Sequence, residues 1–288
     1  MDRFRDEREI EKLKLMCVLA HPDDESLGMG GTLAKYASEG VCTCLVTATR
    51  GERGWIGSET DYPGPEALGR LRTAELAAAA RILGLQQIIF LGYRDGELAQ
   101  VEPTKVVEQL VAHLRKLHPD VVITFDPFGA YGHPDHIAIS QLTTAAVITA
   151  ADPNYGHIEA WSAHRVSKLY YRVVTRTEAI AYQVALGELA MEVNGVKRHL
   201  VTWPDWAVTA KIDTSAYWQQ VCQAVACHRS QLLNYKTMQI LPDDHYRRLW
   251  GSQTYYRIFS LVNGSDQVEN DLFTGLRKSH SGSGDELI

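Results

Sequence analysis

The chain has 288 residues, of which 45% are hydrophobic and 22% charged, and its formal net charge is −6 at neutral pH. A chain of this length and apolar content can bury one substantial core, so we expect a single domain over residues 1–277, with a core at about 13–150, a less regular part at 151–277 and a flexible tail at 278–288. The negative charge offers no broad cationic surface for a polyanion, which argues against nucleic acid as a partner.

The cysteines and the N-terminus indicate the compartment. The number of cysteines is odd, at five, and Cys42 and Cys44 alternate with other residues inside an apolar run, which suits small buried side chains better than a disulfide. Residues 1–14 carry both signs of charge without an apolar segment, and no run of about 18 apolar residues occurs. We therefore expect a cytoplasmic protein without a membrane span, and a homo-oligomer remains open because subunit contacts leave no motif.

Strands and helices alternate through the first half of the chain. Strand patterns of consecutive apolar or β-branched residues lie at 13–20, 41–49, 87–91 and 120–125. Helical patterns lie at 27–39, 66–83, 103–117 and 135–150, and the first two end at Gly40 and Gly84. Segments 50–65 and 92–102 carry turn residues without apolar periodicity and are predicted to be loops.

This alternation predicts an α/β fold with a Rossmann-like, mostly parallel sheet, helices on both faces and a smaller C-terminal extension. Parallel strands joined by helices need right-handed crossovers, and ligands bind outside the carboxyl ends of the strands. We expect the strand order 3-2-1-4-5, in which the first and fourth strands are neighbours. Further strands are predicted at 167–174, 209–212 and 255–262, with a helix at 216–228.

Two clusters of imidazole and carboxylate groups follow the first and the fourth strand. His-Pro-Asp-Asp occupies 21–24, and His-Pro-Asp-His occupies 133–136. A third His-Pro-Asp triplet, at 118–120, precedes the fourth strand and should lie at the opposite edge of the sheet. Position relative to the strand therefore matters more than the triplet itself, and the first two clusters are predicted to meet.

Residues of these types, brought together, can hold a divalent metal. A hydrolytic zinc site commonly has three protein ligands from His and Asp or Glu and leaves one position for water. His21, Asp24 and His136 can supply that set, and Asp23 between the first two is left to act as general base. His133, one helical turn before His136, is predicted to act as an acid that faces the developing oxyanion, and Tyr131 could add a phenol donor.

Two other interpretations of these residues are less favourable. The acidic residues at 23–25 could simply cap a helix, because carboxylates are stabilised at helix N-termini, but this does not explain His21. Gly28, Gly30 and Gly31 could belong to a dinucleotide-binding loop, yet the sequence lacks G-x-G-x-x-G, and the three acids would repel a pyrophosphate. The glycines fit close helix packing better.

Ala-His-Pro-Asp-Asp-Glu after the first strand and His-Pro-Asp-His after the fourth resemble the two signatures of the LmbE-like or PIG-L superfamily of metal-dependent N-deacetylases. The resemblance extends to 47–54, 72–76 and 92–96, and more thinly to 228–231. It implies a hydrolase that removes acetyl from an N-acetylglucosamine-type amide, with zinc, or alternatively iron, as cofactor. A small-molecule N-acetylated amino-sugar conjugate would be its binding partner.

The resemblance also implies roles for individual residues. It gives His21, Asp24 and His136 as ligands and Asp23 as base, in agreement with the argument from the residues, and it implies contacts of Arg72, Arg94 and Asp95 with sugar hydroxyls. A solvated salt bridge is the alternative explanation of those three.

The chain departs from the family pattern in two places, which leaves the substrate open. The family often has a small polar residue in place of Gly28, and an acidic one near 253–255. Trp55, in the long loop beside Glu52 and Arg53, either shapes a sugar pocket or anchors its own loop.

The sequence therefore predicts a metal-dependent N-deacetylase acting on a non-peptide amide. An amidase that cleaves a larger acyl group from an amino-sugar conjugate would use the same centre and differ only in pocket size. A non-catalytic metal-binding or sugar-binding protein is the alternative outside the enzymes.

Overall fold

A computed structural model describes residues 12–155, 161–193, 195–231, 241–262 and 267–277. Its strands are β1 (Lys14–Leu19), β2 (Cys42–Thr47), β3 (Gln87–Phe90), β4 (Val121–Phe125), β5 (Lys168–Val173), β6 (Ala190–Val193), β7 (Val196–His199), β8 (Ala210–Asp213) and β9 (Ser252–Ser260). Its helices are α1 (Asp24–Ser38), α2 (Pro65–Leu83), α3 (Pro103–Leu117), the short turn α4 (Gly129–Gly132), α5 (Pro134–Ala150), α6 (Arg176–Leu186), α7 (Trp218–Val225) and α8 (Asp243–Trp250).

Seven strands form one mixed sheet in the order β3-β2-β1-β4-β5-β9-β8. The first five are parallel to their neighbours, whereas β9 pairs antiparallel with β5, and β8 pairs antiparallel with β9. The predicted α/β fold and the order 3-2-1-4-5 are therefore confirmed. The C-terminal part adds two antiparallel strands at the edge, and β6 and β7 form a separate two-stranded sheet.

The central strands are apolar because helices cover both faces of the sheet. Every residue of β4, Val-Val-Ile-Thr-Phe, is buried, and all of β1 after Lys14 is buried. Strands of parallel sheets have this continuous apolar character, which explains why the sequence pattern identified them. Two buried polar residues, His21 and Asp126, directly follow the apolar runs of β1 and β4.

Several boundaries differ from the sequence prediction. Helix α1 begins at Asp24 rather than Leu27, because Asp24 and Glu25 lie in its first turn, where carboxylates are stabilised by the helix dipole. The sequence analysis missed α6, although Thr175 and Glu178 form a capping box at its start, and it also missed α8 and the β6-β7 hairpin. The predicted tail at 278–288 lies outside the described residues, and the single-domain organisation stays a prediction.

The third His-Pro-Asp triplet lies at the amino end of β4. His118 ends α3, and its ring packs edge-on against His164. Because β1 and β4 are parallel, this is the sheet edge opposite to His21. In the part of the chain that the structure describes, no helix is long and apolar enough to span a bilayer.

Candidate metal centre

The two predicted clusters meet because β1 and β4 are neighbouring parallel strands. His21 follows the buried end of β1, and Asp24 starts α1 two residues beyond Pro22. On the other side, the His133 ring caps α5, since its Nδ1 accepts a hydrogen bond from the Asp135 amide at 3.1 Å, and His136 lies in the first turn of that helix. Strand ends and helix starts thus hold every group on rigid elements.

Two imidazole nitrogens and the two oxygens of the Asp24 carboxylate converge at this point. His21 Nδ1 lies 3.1 Å from His136 Nε2, His136 Nε2 lies 3.4 Å from Asp24 Oδ1, and His21 Nδ1 lies 3.7 Å from Asp24 Oδ2. Nitrogen and oxygen ligands of a tetrahedral zinc ion stand about 3.3–3.5 Å from one another, given metal–ligand bonds of about 2.0–2.2 Å. The donor set therefore fits a small divalent cation with little rearrangement.

Two other groups of ligand atoms share His21. Ring nitrogens of His21, His133 and His136 lie within 4.8 Å of one another, and so do atoms of His21, Asp95 and Asp135. The second group contacts the opposite side of the His21 ring, where Nε2 is 3.1 Å from Asp95 Oδ1 and 3.3 Å from Asp135 Oδ2. A carboxylate that holds one imidazole nitrogen fixes the other toward a metal.

These carboxylates dominate the protonation of His21. Burial alone would lower its pKa, but hydrogen bonds to Asp135 and Asp95 outweigh burial and raise the pKa of His21 to about 10. The same contacts hold the pKa of Asp95 well below its usual value, although burial acts to raise it. Without a metal, the His21 ring is therefore an imidazolium that is paired on both sides.

Asp23 lies beside the ligands in a constrained backbone conformation. Its φ is 109°, in the left-handed region, and its side chain lines a cavity together with Asp24 and His136. Arg72 Nη2 is 3.2 Å from Asp23 Oδ2, and Arg72 also donates to the carbonyl oxygens of Pro22 and Gly51. Burial raises the pKa of Asp23 to about 6, although the Arg72 charge acts in the opposite direction.

A buried pair, Glu25 and His228, holds the backbone amide of Asp23. Glu25 Oε2 accepts a hydrogen bond from the Asp23 amide at 3.0 Å, and Glu25 Oε1 is 2.8 Å from His228 Nε2. Burial and the charge of His228 act in opposite directions on Glu25, and its pKa is lowered overall. Glu25 and His228 were not assigned roles from the sequence, because their contact joins residues far apart in the chain.

His133 and Tyr131 face the ligands from the β4 side. The His133 ring is 4.5 Å from the ring of His21, and the Tyr131 ring is 5.3 Å from that of His136. Burial and the charges of His21 and His136 lower the pKa of His133 to about 3, which favours the neutral ring in the metal-free protein, and its role as an acid stays a prediction. Because Nδ1 accepts from Asp135, the neutral ring carries its proton on Nε2 and remains a hydrogen-bond donor.

The residues predicted to bind sugar hydroxyls lie in different places. Arg72 is 3% exposed and holds Asp23, whereas Asp95 is buried against His21. Arg94 is exposed and lines a separate cavity with Arg50 and Glu66, so it is not brought to the ligands.

Trp55 contacts its own loop. Its Nε1 donates to the carbonyl of Ser58, and its ring lies 6.1 Å from that of Tyr62. These contacts favour the anchoring role over a place in the sugar pocket.

Gln253 is a further residue that the sequence analysis missed. Its carboxamide accepts from the Thr32 amide at 2.8 Å and donates to the Gly28 carbonyl at 3.0 Å, two groups one turn apart in α1. Arg172 Nε also donates to the Gly28 carbonyl, at 2.7 Å. Side chains of β5 and β9 thus hold the first turns of the helix that carries Asp24, and only the tertiary fold reveals these contacts.

The chain is similar to known deacetylases. A profile of the family described as "PIG-L: GlcNAc-PI de-N-acetylase" matches residues 16–147. A protein of Streptomyces griseus subsp. griseus, described as 1D-myo-inositol 2-acetamido-2-deoxy-alpha-D-glucopyranoside deacetylase, is 33% identical over 309 aligned residues, covering 96% of this chain and 93% of that protein. A protein of Mycobacteroides abscessus with the same description is 36% identical, covering 76% of this chain and 81% of its own length.

Solved structures share the fold. The conserved protein TT1542 from Thermus thermophilus is 29% identical with a TM-score of 0.61, and the match covers 88% of this chain and 97% of that one. The N,N'-diacetylchitobiose deacetylase from Pyrococcus horikoshii is 23% identical with a TM-score of 0.63, covering 86% of this chain and 84% of that one. The second likeness concerns the fold alone.

Proposed function

The chain belongs to the PIG-L family, and we propose that it is a metal-dependent N-deacetylase that hydrolyses an N-acetylglucosamine-type amide to acetate and a free amine. The observation that carries this proposal is the convergence of two imidazoles and a carboxylate beside Asp23 at the carboxyl edge of the sheet. The described activity of the relatives makes an N-acetylglucosaminyl inositol the first substrate to test.

His21, Asp24 and His136 hold the metal in this proposal, and zinc is the first candidate, with iron as the second, because borderline metals share nitrogen and oxygen ligands. A divalent metal bound there lowers the pKa of a water molecule to about 7 and polarises an amide carbonyl. Asp95 and Asp135 keep the proton of His21 on Nε2, so that Nδ1 faces the metal.

Asp23 is the general base. It takes a proton from the attacking water as the new carbon–oxygen bond forms, and it returns that proton to the nitrogen when the carbon–nitrogen bond breaks. A carboxyl with a pKa of about 6 is mostly ionised at neutral pH and still able to return the proton, which suits both steps. Arg72 holds the carboxylate in one orientation through its contact with Oδ2.

His133 and Tyr131 stabilise the negative charge that develops on the carbonyl oxygen. The neutral His133 ring donates through Nε2, and the Tyr131 phenol supplies a second donor from the cavity wall. Burial raises the pKa of Tyr131 well above its usual value, so the phenol keeps its proton. The proton of the leaving amine comes from Asp23, which returns the proton that it took from water.

Acetate release and metal content, measured on the same samples, test the proposal. Asp23→Asn should keep the metal and lose about 10²–10⁴ in kcat, which is the usual contribution of a positioned acid or base. His136→Ala should lose the metal. Wild-type protein that holds metal but releases no acetate from N-acetylglucosaminyl inositol, N,N'-diacetylchitobiose or simple N-acetylglucosaminides would favour the non-catalytic alternative, and an unchanged rate in Asp23→Asn would reject the base.

A further inference from the structure

We propose that Arg198, in the β6-β7 hairpin, is a positioning residue that holds the Tyr131 phenol at the metal centre. This inference rests on the proposed function, in which that phenol stabilises the charge on the carbonyl oxygen. It gives a part in the reaction to a hairpin that lies outside the segment matched by the family profile. Arg198 acts through the backbone of the turn α4, which carries Tyr131.

The turn that carries Tyr131 has an unusual backbone. Ala130 has a φ of 60° and a ψ of −85°, a combination that residues with a side chain rarely adopt. Gly129 and Gly132 have φ values of 62° and 85°, which glycine adopts readily. A non-glycine residue in a sparsely populated conformation persists only where neighbouring groups hold it there. The groups that hold this turn therefore also set the position of the Tyr131 ring.

The Asp126 carboxylate holds the start of the turn. Its Oδ1 accepts hydrogen bonds from the Phe128 amide at 3.1 Å and the Ala130 amide at 3.0 Å, and its Oδ2 accepts one from the Trp203 indole at 2.7 Å. These contacts fix the chain before Tyr131. The residues after it depend on other contacts.

Two hydrogen bonds from the segment 198–201 lie on either side of Tyr131. The Val201 amide donates to the Ala130 carbonyl at 2.9 Å, in the peptide group that directly precedes Tyr131. Arg198 Nη1 donates to the Gly132 carbonyl at 3.1 Å, one residue beyond Tyr131. One segment thus holds the backbone before and after the tyrosine.

The aliphatic part of Arg198 also lies against Gly132. A Cβ atom placed on Gly132 would lie 2.7 Å from Arg198 Cδ and 2.8 Å from Arg198 Cβ, which is closer than carbon atoms pack. Glycine is therefore required here for the close approach as well as for its positive φ. Because Arg198 contacts the turn with both its stem and its guanidinium, it limits the positions that the turn can take.

Arg198 is the residue of β7 that faces the protein. Val196, Lys197 and His199 are exposed, whereas Arg198 is half-buried. Lys197 and His199 pair with Glu188, but no carboxylate lies within ion-pair distance of Arg198 among the residues that the structure describes. A surface ion pair therefore does not account for this arginine, whereas its hydrogen bond to the turn does.

The position of the phenol matters because an oxyanion donor works only at hydrogen-bond distance from the developing charge, and a displacement of about 1 Å can cost much of the rate. The Tyr131 ring lies 5.3 Å from the His136 ring, so movement of the turn changes its place relative to that ligand. His133 is held independently, because its ring caps α5. Loss of Arg198 should therefore affect the phenol more than the metal.

Arg198→Met removes the donor and keeps an unbranched stem. The kcat for acetate release should fall about tenfold, with less than about a twofold change in KM and unchanged zinc content. The substrate is whichever of N-acetylglucosaminyl inositol, N,N'-diacetylchitobiose and methyl N-acetylglucosaminide the wild type cleaves fastest. Arg198→Lys, which keeps a donor, should recover most of the loss. Lys197→Met, at the exposed neighbouring position of the same strand, should keep the wild-type rate and serves as the control.

The same substitution in a Tyr131→Phe background tests whether Arg198 acts through the phenol. Arg198→Met should then lower kcat less than about twofold, because the group that Arg198 positions is absent and the two changes are not additive. An equal loss in both backgrounds would overturn the inference, since it would show that Arg198 serves the fold or another group of the site.

Two further outcomes separate this inference from the proposed function. A folded Arg198→Met variant with the wild-type kcat, or with reduced zinc content, would overturn the role of Arg198 and leave the deacetylase intact. Wild-type protein that holds zinc and releases no acetate from any of the compounds would overturn the proposed function, and this inference with it. Arg198→Gln, which has a shorter side chain than arginine, replaces Arg198→Met if circular dichroism shows that the latter does not fold.

Discussion

The affinity for metal should depend on the two carboxylates that hold the far side of the His21 ring. We consider Asp95→Asn, which removes the charge nearest to His21 Nε2, at 3.1 Å, and preserves side-chain size. The amide can still accept a hydrogen bond from the Arg53 backbone through its oxygen, as Asp95 Oδ2 does at 3.0 Å, so the loop should keep its conformation. The change therefore acts mainly on His21.

The size of the expected loss of metal affinity depends on Asp135, the second carboxylate at His21 Nε2. Loss of a partner behind a metal-binding histidine commonly costs about 10–100-fold in affinity. Because Asp135 Oδ2 remains 3.3 Å from His21 Nε2, Asp95→Asn should lie near the lower end, about tenfold, or about 1.4 kcal/mol, for the ring with Nδ1 deprotonated. Asp95 also raises the pKa of His21, so its removal eases loss of that proton and the loss of affinity measured at neutral pH should be smaller. Asp95→Asn combined with Asp135→Asn should reach about 100-fold or more. The double variant should also unfold more readily, since Asp135 accepts hydrogen bonds from the Gly96 and Leu98 amides.

Competition with a chromogenic chelator at several pH values measures the dissociation constant for zinc and corrects it for the proton that His21 releases. Urea unfolding of the metal-free protein separates affinity from stability. Asp205→Asn makes the same chemical change at an exposed position and serves as the control. A pH-corrected dissociation constant in Asp95→Asn equal to that of the wild type would refute the argument, because it would mean that Asp95 does not help to fix the tautomer of His21.

Three further changes test other parts of the site. Tyr131→Phe should keep the metal and lower kcat about 10–100-fold with little change in KM, because the phenol acts on charge that develops in the transition state, and steady-state kinetics check this. Gln253→Leu removes two backbone hydrogen bonds, each worth about 0.5–1.5 kcal/mol, so urea unfolding should detect a loss of about 1–3 kcal/mol that exposed Gln223→Leu does not reproduce. His228→Gln should be most destabilising between about pH 4.5 and 6.5. Despite burial, the charge of Glu25 raises the pKa of His228 overall, so the stability that the His228 charge contributes is lost as pH rises through that pKa. The pKa of Glu25 is lowered, so the stability that its carboxylate contributes is lost as pH falls through that pKa.

Much of the fold and the ligand set could be predicted because they depend on local pattern and simple topology. Strands β1 and β4 are buried on both faces and are therefore continuous apolar runs, and their adjacency in a parallel sheet brings the loops that follow them together. Given that adjacency, the positions of the strand ends were enough to predict that His21, Asp24 and His136 lie close together.

Other features depend on contacts that no local pattern encodes. Asp95 was expected to face a sugar and instead faces His21, because the loop after β3 folds over the first cluster so that Arg53 donates to its carboxylate. Helix α6 is a different case, because its capping box, Thr175 and Glu178, is a local signal that the sequence analysis did not use. The neutral state of His133 follows from burial among other imidazoles, which requires coordinates.

The two ends of the cavity come from different parts of the chain. The proposed ligands and the base lie within the segment that the family profile matches, residues 16–147, whereas part of the cavity wall, including Val174, Leu186 and Leu189, lies beyond it. The profile therefore covers the proposed ligands and base but not this part of the cavity wall. Tyr182 and Arg172 connect this wall to α1, because they donate to the Leu27 and Gly28 carbonyls. The chemistry of the family and the shape of this pocket thus need separate tests.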